Sequence, residues 1–302
     1  MKSLAGSVLI GLLKQTLALL FLVLCAALAF SQEQGSAAQI KTIFPTFTTI
    51  DLPGAGVTGI SAINKAGDMV GSFGQSNSGP ISGFLYRSGT FTYFDYPGET
   101  VTVSNGINDV GLISGYAGQE PVYGFTYDGT NFTTVTVGSD TATFVRGINN
   151  AGALVGGAGT IYTTTGFERI GTRVKSLGIP GQWVYVEAAG INNLGQIAGF
   201  TDSLGFKCAG GKCQTLAVPG ATQTSAEGIN DAGVIVGWYL SGSCDCGFLL
   251  KGGKFLSFKY PGAAFTEAQG INNSGQVVGS YTFDFTTYHG FVTNPITVAD
   301  LQ

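Results

Sequence analysis

An Ile-Asn-x-x-Gly element occurs six times along this chain, at Asn64, Asn108, Asn149, Asn192, Asn230 and Asn272, and in five of the six glycine precedes the isoleucine. Successive asparagines stand 38 to 44 residues apart, and a short apolar run ending in glycine follows each. In the fifth period the pieces that follow are residues 228–239, 247–250 and 254–258, then Tyr260-Pro261-Gly262. Each piece is short and β-branched, aromatic or alternating, bounded by Gly, Asn, Asp or Pro, and nothing is long enough for a helix. Four short antiparallel strands in a period of about 42 residues is the unit of a propeller blade. The pattern therefore predicts an all-β, six-bladed β-propeller, with residues 32–302 as a single domain.

The repeat residues have structural duties in this reading. Asn-x-x-Gly falls between the first two strands, where asparagine bonds its own backbone and the glycine accepts positive φ. A ring of six asparagines binding a cation is the alternative. Phe91, Phe132, Phe167, Cys213, Phe255 and Val298 each fall eight residues after the glycine taken to open strand three, which implies a hairpin of constant length. Cys208 and Cys213 then face each other across such a hairpin, and a disulfide there closes a short loop worth about 2 kcal/mol. Cys244 and Cys246 have one residue between them and are left unassigned. Pro-Gly pairs at 53–54, 97–98, 180–181, 219–220 and 261–262 mark the ends of fourth strands, read as outer edges where a missing donor costs nothing. Residues 47–52 match a fourth strand in register but precede the first repeat, so they are expected to complete blade six and clasp the ring; residues 296–301 compete for that edge.

Residues 1–31 carry Lys2 and Lys14, an apolar stretch over 17–30 and a small-x-small site ending at Ala29 or Ser31, the pattern of a cleaved secretory signal peptide. An uncleaved N-terminal anchor is the alternative. The protein is thus expected to be secreted, periplasmic or on the cell surface, with peripheral or no membrane contact. Cleavage would take the formal charge from −4 to −6 with basic residues scattered singly, which argues against nucleic acid as a partner. Of five cysteines only Cys25 would be lost, and an even number in an exported chain favours disulfides over thiols. No cofactor or metal is expected, since the chain has one histidine, and the mature chain is expected to be a monomer.

These residues resemble the bacterial extracellular HAF repeat family, whose unit is similar to Gly-Ile-Asn-x-x-Gly-x-Val-Val-Gly followed by His-Ala-Phe-Leu. The resemblance covers nearly all of residues 47–298. The second half departs: only Tyr288-His289-Gly290-Phe291 keeps the histidine, with Ser82, Tyr123, Ala158, Leu204 and Cys246 in its place elsewhere. The resemblance implies an exported propeller and no activity.

Function is expected on the face carrying the connections from strand two to three and from four to one. The two-to-three interval between bounding glycines reads 12, 9, 3, 6, 10 and 11 residues in the six periods. That face would carry Gln75 to Ser78, Glu120, Asp202, Asp245, Asp284, His289 and the long connection 171–183. Trp183, Tyr185 and Glu187 alternate, so all three are expected on one side of the strand entering blade four, where an aromatic pair beside a carboxylate suits saccharide binding. Trp183, Tyr185, Glu187, Asp284 and His289 are the candidate ligand-binding residues. Glu267 sits at the same offset from its Gly-Ile-Asn as Glu187, and the two are candidate acid and base for glycoside cleavage. Inter-blade packing accounts for all of them equally well. His289 would have to serve any serine triad, yet no Gly-x-Ser-x-Gly elbow is present. The leading expectation is a non-enzymatic binding module for a glycan, surface polymer or protein; the alternative is a glycoside hydrolase or polysaccharide lyase.

Overall fold

The computed structural model describes residues 40–76, 79–242 and 244–296. The expected signal peptide, Ser78, Val298 and nearly all of the segment 296–301 lie outside the described residues. The rest forms six sheets in a ring, a six-bladed β-propeller; in five of them the four blade strands run in chain order from first to fourth, and in the sixth the fourth strand comes from the N-terminal segment. The first strands are Val57–Ile63, Thr102–Ile107, Ala142–Ile148, Val186–Ile191, Gln223–Ile229 and Phe265–Ile271. Each touches the next and the sixth returns to the first, so together they wall the axis.

The repeat works through three contacts. The glycine third in each second strand (Gly71, Gly115, Gly156, Gly199, Gly237, Gly279) lies under the backbone carbonyl of the first strand and the ring of a third-strand phenylalanine, so any Cβ would collide with both. Those rings, Phe84, Phe125, Phe167, Phe206, Phe248 and Phe291, are fully buried and form the centre of each blade. The repeat asparagine holds its own turn: in blade three its Oδ1 accepts from the amides of Ala151 and Ala153. Its Nδ2 reaches the neighbouring blade. Asn64 donates to the Asn108 carbonyl, Asn108 to Asn149, Asn149 to Asn192, Asn192 to Asn230, Asn230 to Asn272 and Asn272 back to Asn64, at 2.9–3.3 Å. This closed belt of hydrogen bonds ties each blade to the next through side-chain amides and backbone carbonyls, while the side-chain oxygens are taken by the amides of their own turns.

A threonine absent from the sequence reading staples the four-to-one connections. Thr58, Thr102, Thr143, Thr224 and Thr266 each accept, through Oγ1, the amide six residues upstream. In blade four Val186 stands there, and its own amide bonds Thr164 instead.

Four expectations need correction. Phe167 is a third-strand residue, paired with Gly156 as Phe84 is with Gly71, because strand three of blade three opens later than its glycines suggest. The fourth-strand counterpart is Val174, in Arg173–Ser176, and the two-to-three interval in that blade is as long as in the others, with Thr165 rather than Ala158 preceding the strand-three glycine. The Pro-Gly pairs lie beyond the fourth strands; those at 53–54, 97–98, 219–220 and 261–262 are the central residues of turns closed by bonds such as Ala55 N to the Leu52 carbonyl, with Gly54 at φ 84°. Finally, blade five has five strands, because Lys41–Thr42 runs parallel to its outer strand at Leu256 and Ser257.

The clasp itself forms as expected. Phe47–Ile50 pairs antiparallel with Gly290–Thr293 as the outer strand of blade six, and Phe47 packs on Phe258, Tyr260 and Phe291. Cys208 and Cys213 are joined across their hairpin at a Cα separation of 4.0 Å, and Cys244 and Cys246 are joined at 5.4 Å.

Candidate functional site

Every first strand carries a β-bulge immediately before its Gly-Ile-Asn (Ala-Ile-Asn in blade one), where the ladder skips one residue. A bulge leaves that residue unpaired and re-aims its side chain. The six skipped residues are Ser61, Asn105, Arg146, Ala189, Glu227 and Gln269, and all six line one cavity of about 430 Å³ on the propeller axis. Phe200, Trp238 and Tyr288 add aromatic wall, and Glu267 and Ser280 add polar groups. A cleft of this size with aromatic walls and a few convergent polar groups is what a small ligand requires.

Its charges are arranged in two sets. Arg146 lies over the rings of Tyr116 and Phe200 at 5.6 and 5.7 Å, and its Nε donates to Glu187. Burial works against the Arg146 charge, but the adjoining Glu187 carboxylate keeps the guanidinium firmly protonated. Glu187 is completely buried, with its second oxygen accepting from the Tyr185 hydroxyl, whose pKa burial and Glu187 push up. In the other set Glu227 Oε1 accepts from Ser225 Oγ and Trp238 Nε1, while Glu267 Oε2 accepts from Ser280 Oγ and Gln269 Nε2. Burial raises both carboxyls, Glu267 to about 7. Among the described residues no group of three or more His, Cys, Asp or Glu side chains is gathered to hold a metal.

The sequence-derived candidates are distributed rather than joined. Tyr185 and Glu187 do share one side of their strand, facing Arg146. Trp183 does not join them: its Nε1 donates to the Pro180 carbonyl, and it lines a second hollow of about 550 Å³ over blade three. Glu187 and Glu267 are separated by function, the first sealed by Arg146 and Tyr185, the second open to the cavity. Asp284 caps its own loop, accepting from the Thr286 and Thr287 amides, which hold its carboxyl down at about 2. His289 bonds Asp51 through Nδ1 at 2.7 Å and stacks on Tyr281, on the outer part of blade six. Arg146, Glu227, Trp238, Phe200 and Tyr288 were missed. A signal existed for the first two: the residue before Gly-Ile-Asn varies freely between positions that scarcely change.

No protein-family profile and no curated protein matches the chain. Among solved structures it is similar to virginiamycin B lyase from Staphylococcus aureus, at 11% identity over 83% of this chain and 89% of that one, TM-score 0.47. It is similar to YCF48 bound to D1 peptide, at 12% identity over 83% and 88%, TM-score 0.43. U3-55K is a third, at 10% identity over 78% and 80%, TM-score 0.45. At these identities nothing passes from them to this chain's chemistry.

Proposed function

We propose that this chain is an exported binding propeller of the HAF-repeat kind that takes a saccharide of a glycan or surface polymer into its axial cavity without turning it over. The observation that carries the reading is the convergence of six bulge residues, one from each blade, on a single cavity with aromatic walls. Phe200, Trp238 and Tyr288 offer faces for the apolar side of a sugar ring. Asn105, Gln269, Ser61 and the carboxylates offer acceptors and donors for its hydroxyls. The signal-like residues 1–31 and the paired cysteines support export.

One observation favours a second reading. Glu267, with its carboxyl raised to about 7, has the acidity of a general acid, and Glu227 enters the same cavity from the adjacent blade. Glycoside cleavage would then use Glu267 and Glu227, since Glu187 is occupied by Arg146.

A glycan array probed with the secreted chain, coupled to product detection, separates these readings. Binding without new reducing ends or unsaturated products, lost on Trp238→Ala with cooperative unfolding retained, supports the binding module. Products that vanish with Glu267→Gln select the enzyme. Silence across the array sinks both, and binding indifferent to Trp238 sinks the binding module.

A further inference from the structure

The charges on the wall of the axial cavity do not balance. Arg146 is the one cationic side chain lining it among the described residues, and Glu187 already takes its Nε. Glu227 feels Arg146 only through space and makes no ion pair, and among the described residues Glu267 has no cation acting on it. Both show the same asymmetry. In Glu227, Oε1 is held by two neutral donors and Oε2 has no hydrogen-bond partner; in Glu267, Oε2 is held by two and Oε1 has none. The donors fix each carboxylate in place and leave one oxygen of each to the cavity, from adjoining blades.

Nothing in the fold needs these charges. A glutamine at either position would keep an acceptor for the same donors without the cost of enclosing an anion. Two anions facing one cavity also repel each other, which favours the uncharged forms. Such an arrangement persists where a ligand supplies the missing partner, because a binding site holds groups that are costly when empty. The aromatic wall has matching chemistry: Trp238 is anchored through Nε1 on Glu227 and packs edge-to-face on Phe265 at 5.5 Å. An aromatic face beside carboxylates attracts an ammonium group by both routes.

Resting on the saccharide reading of this cavity, we infer that its ligand is an amino sugar with a free, protonated amine, whose ammonium faces the open oxygens of Glu227 and Glu267. A neutral or N-acetylated sugar could bond both carboxylates through its hydroxyls but would leave their charge uncompensated. An acidic sugar would be repelled.

Calorimetric titration of the secreted chain with a fully deacetylated chitooligosaccharide, its fully acetylated form and the corresponding glucose oligomer tests this. The deacetylated oligomer should bind at least tenfold more tightly than either of the others. Glu227→Gln and Glu267→Gln together should remove that preference while thermal unfolding stays cooperative, and Asp95→Asn, an exposed carboxylate outside the cavity, should leave it intact. Equal affinity for the three oligomers overturns the charge inference and leaves the saccharide reading standing. Failure of all three to bind overturns both. A lysine-rich peptide that competes at the same site with higher affinity than the deacetylated oligomer would also overturn the inference, since the amine would then belong to a protein.

Discussion

Asn149 shows how one side chain can serve two elements. Its Oδ1 closes its own turn and its Nδ2 crosses to the Asn192 carbonyl in the next blade. Asn149→Asp keeps the acceptor and loses the donor, so it separates the duties. We expect it to cost roughly 1–3 kcal/mol, the range for a buried group left unsatisfied, read as a lower urea midpoint with unchanged slope; an unchanged midpoint would mean the turn alone matters. One residue further on runs a second chain of bonds. The Lys65 amide donates to Asp109, Asp109 to Asn150, Asn150 to Asn193, Asn193 to Asp231 and Asp231 to Asn273. There it stops, because position 65 is lysine and has no acceptor to offer Asn273. Lys65→Asn should complete the circuit and add about 0.5–1.5 kcal/mol, a rise of a few degrees in melting temperature. A fall would show that the lysine charge between Asp109 and its neighbours contributes more than the missing bond.

At the scale of elements, the N-terminal segment does more than replace a strand. Lys41–Thr42 lies on blade five and Phe47–Ile50 on blade six, so one stretch of chain holds two blades at the place where the ring is covalently open. Phe47 adds an aromatic packed on both blades. Deleting residues 32–52 should cost about 3–5 kcal/mol, the loss of a packed aromatic with its strand pairing, and should lower the melting temperature more than removing residues 296–302. The reverse order would assign the closure to the C-terminal segment, of which Ile296 is seen bonding Gly275.

At the scale of the molecule, the ring creates an enclosed space on its axis and makes it electrostatically costly. Burial lifts the Glu267 carboxyl to about 7 from an ordinary value near 4.5. The folded state therefore binds this proton more tightly than the unfolded chain does. Its contribution is present below the unfolded pKa and is lost as pH climbs to about 7. Glu267→Gln should match the native chain near pH 4 and exceed it in melting temperature at pH 8 by roughly 2–6 °C. A difference that does not change with pH would mean that the carboxyl is not enclosed.

The sequence by itself determined the number of blades, the positions of the turns, the N-terminal clasp and the Cys208–Cys213 hairpin, because each depends on residues recurring at fixed spacing. The second-strand glycines and third-strand phenylalanines recur for the same reason: every blade has to satisfy the same close approach. Blade three misled because its glycines, Gly156, Gly157 and Gly159, mimic a strand start that belongs to Gly166, and only cross-strand register tells them apart. The fifth strand on blade five was invisible, since two residues carry no periodicity. The cavity was decided by tertiary structure alone. Arg146, Ala189, Glu227 and Gln269 stand about 40 residues apart in turn along the sequence and meet only because a bulge turns each inward and the ring brings six inner strands to one axis. Trp183 and Glu187, four residues apart, part company because Trp183 lies before the strand that Glu187 belongs to: Trp183 lines the hollow over blade three, while Glu187 is sealed against Arg146 and Tyr185.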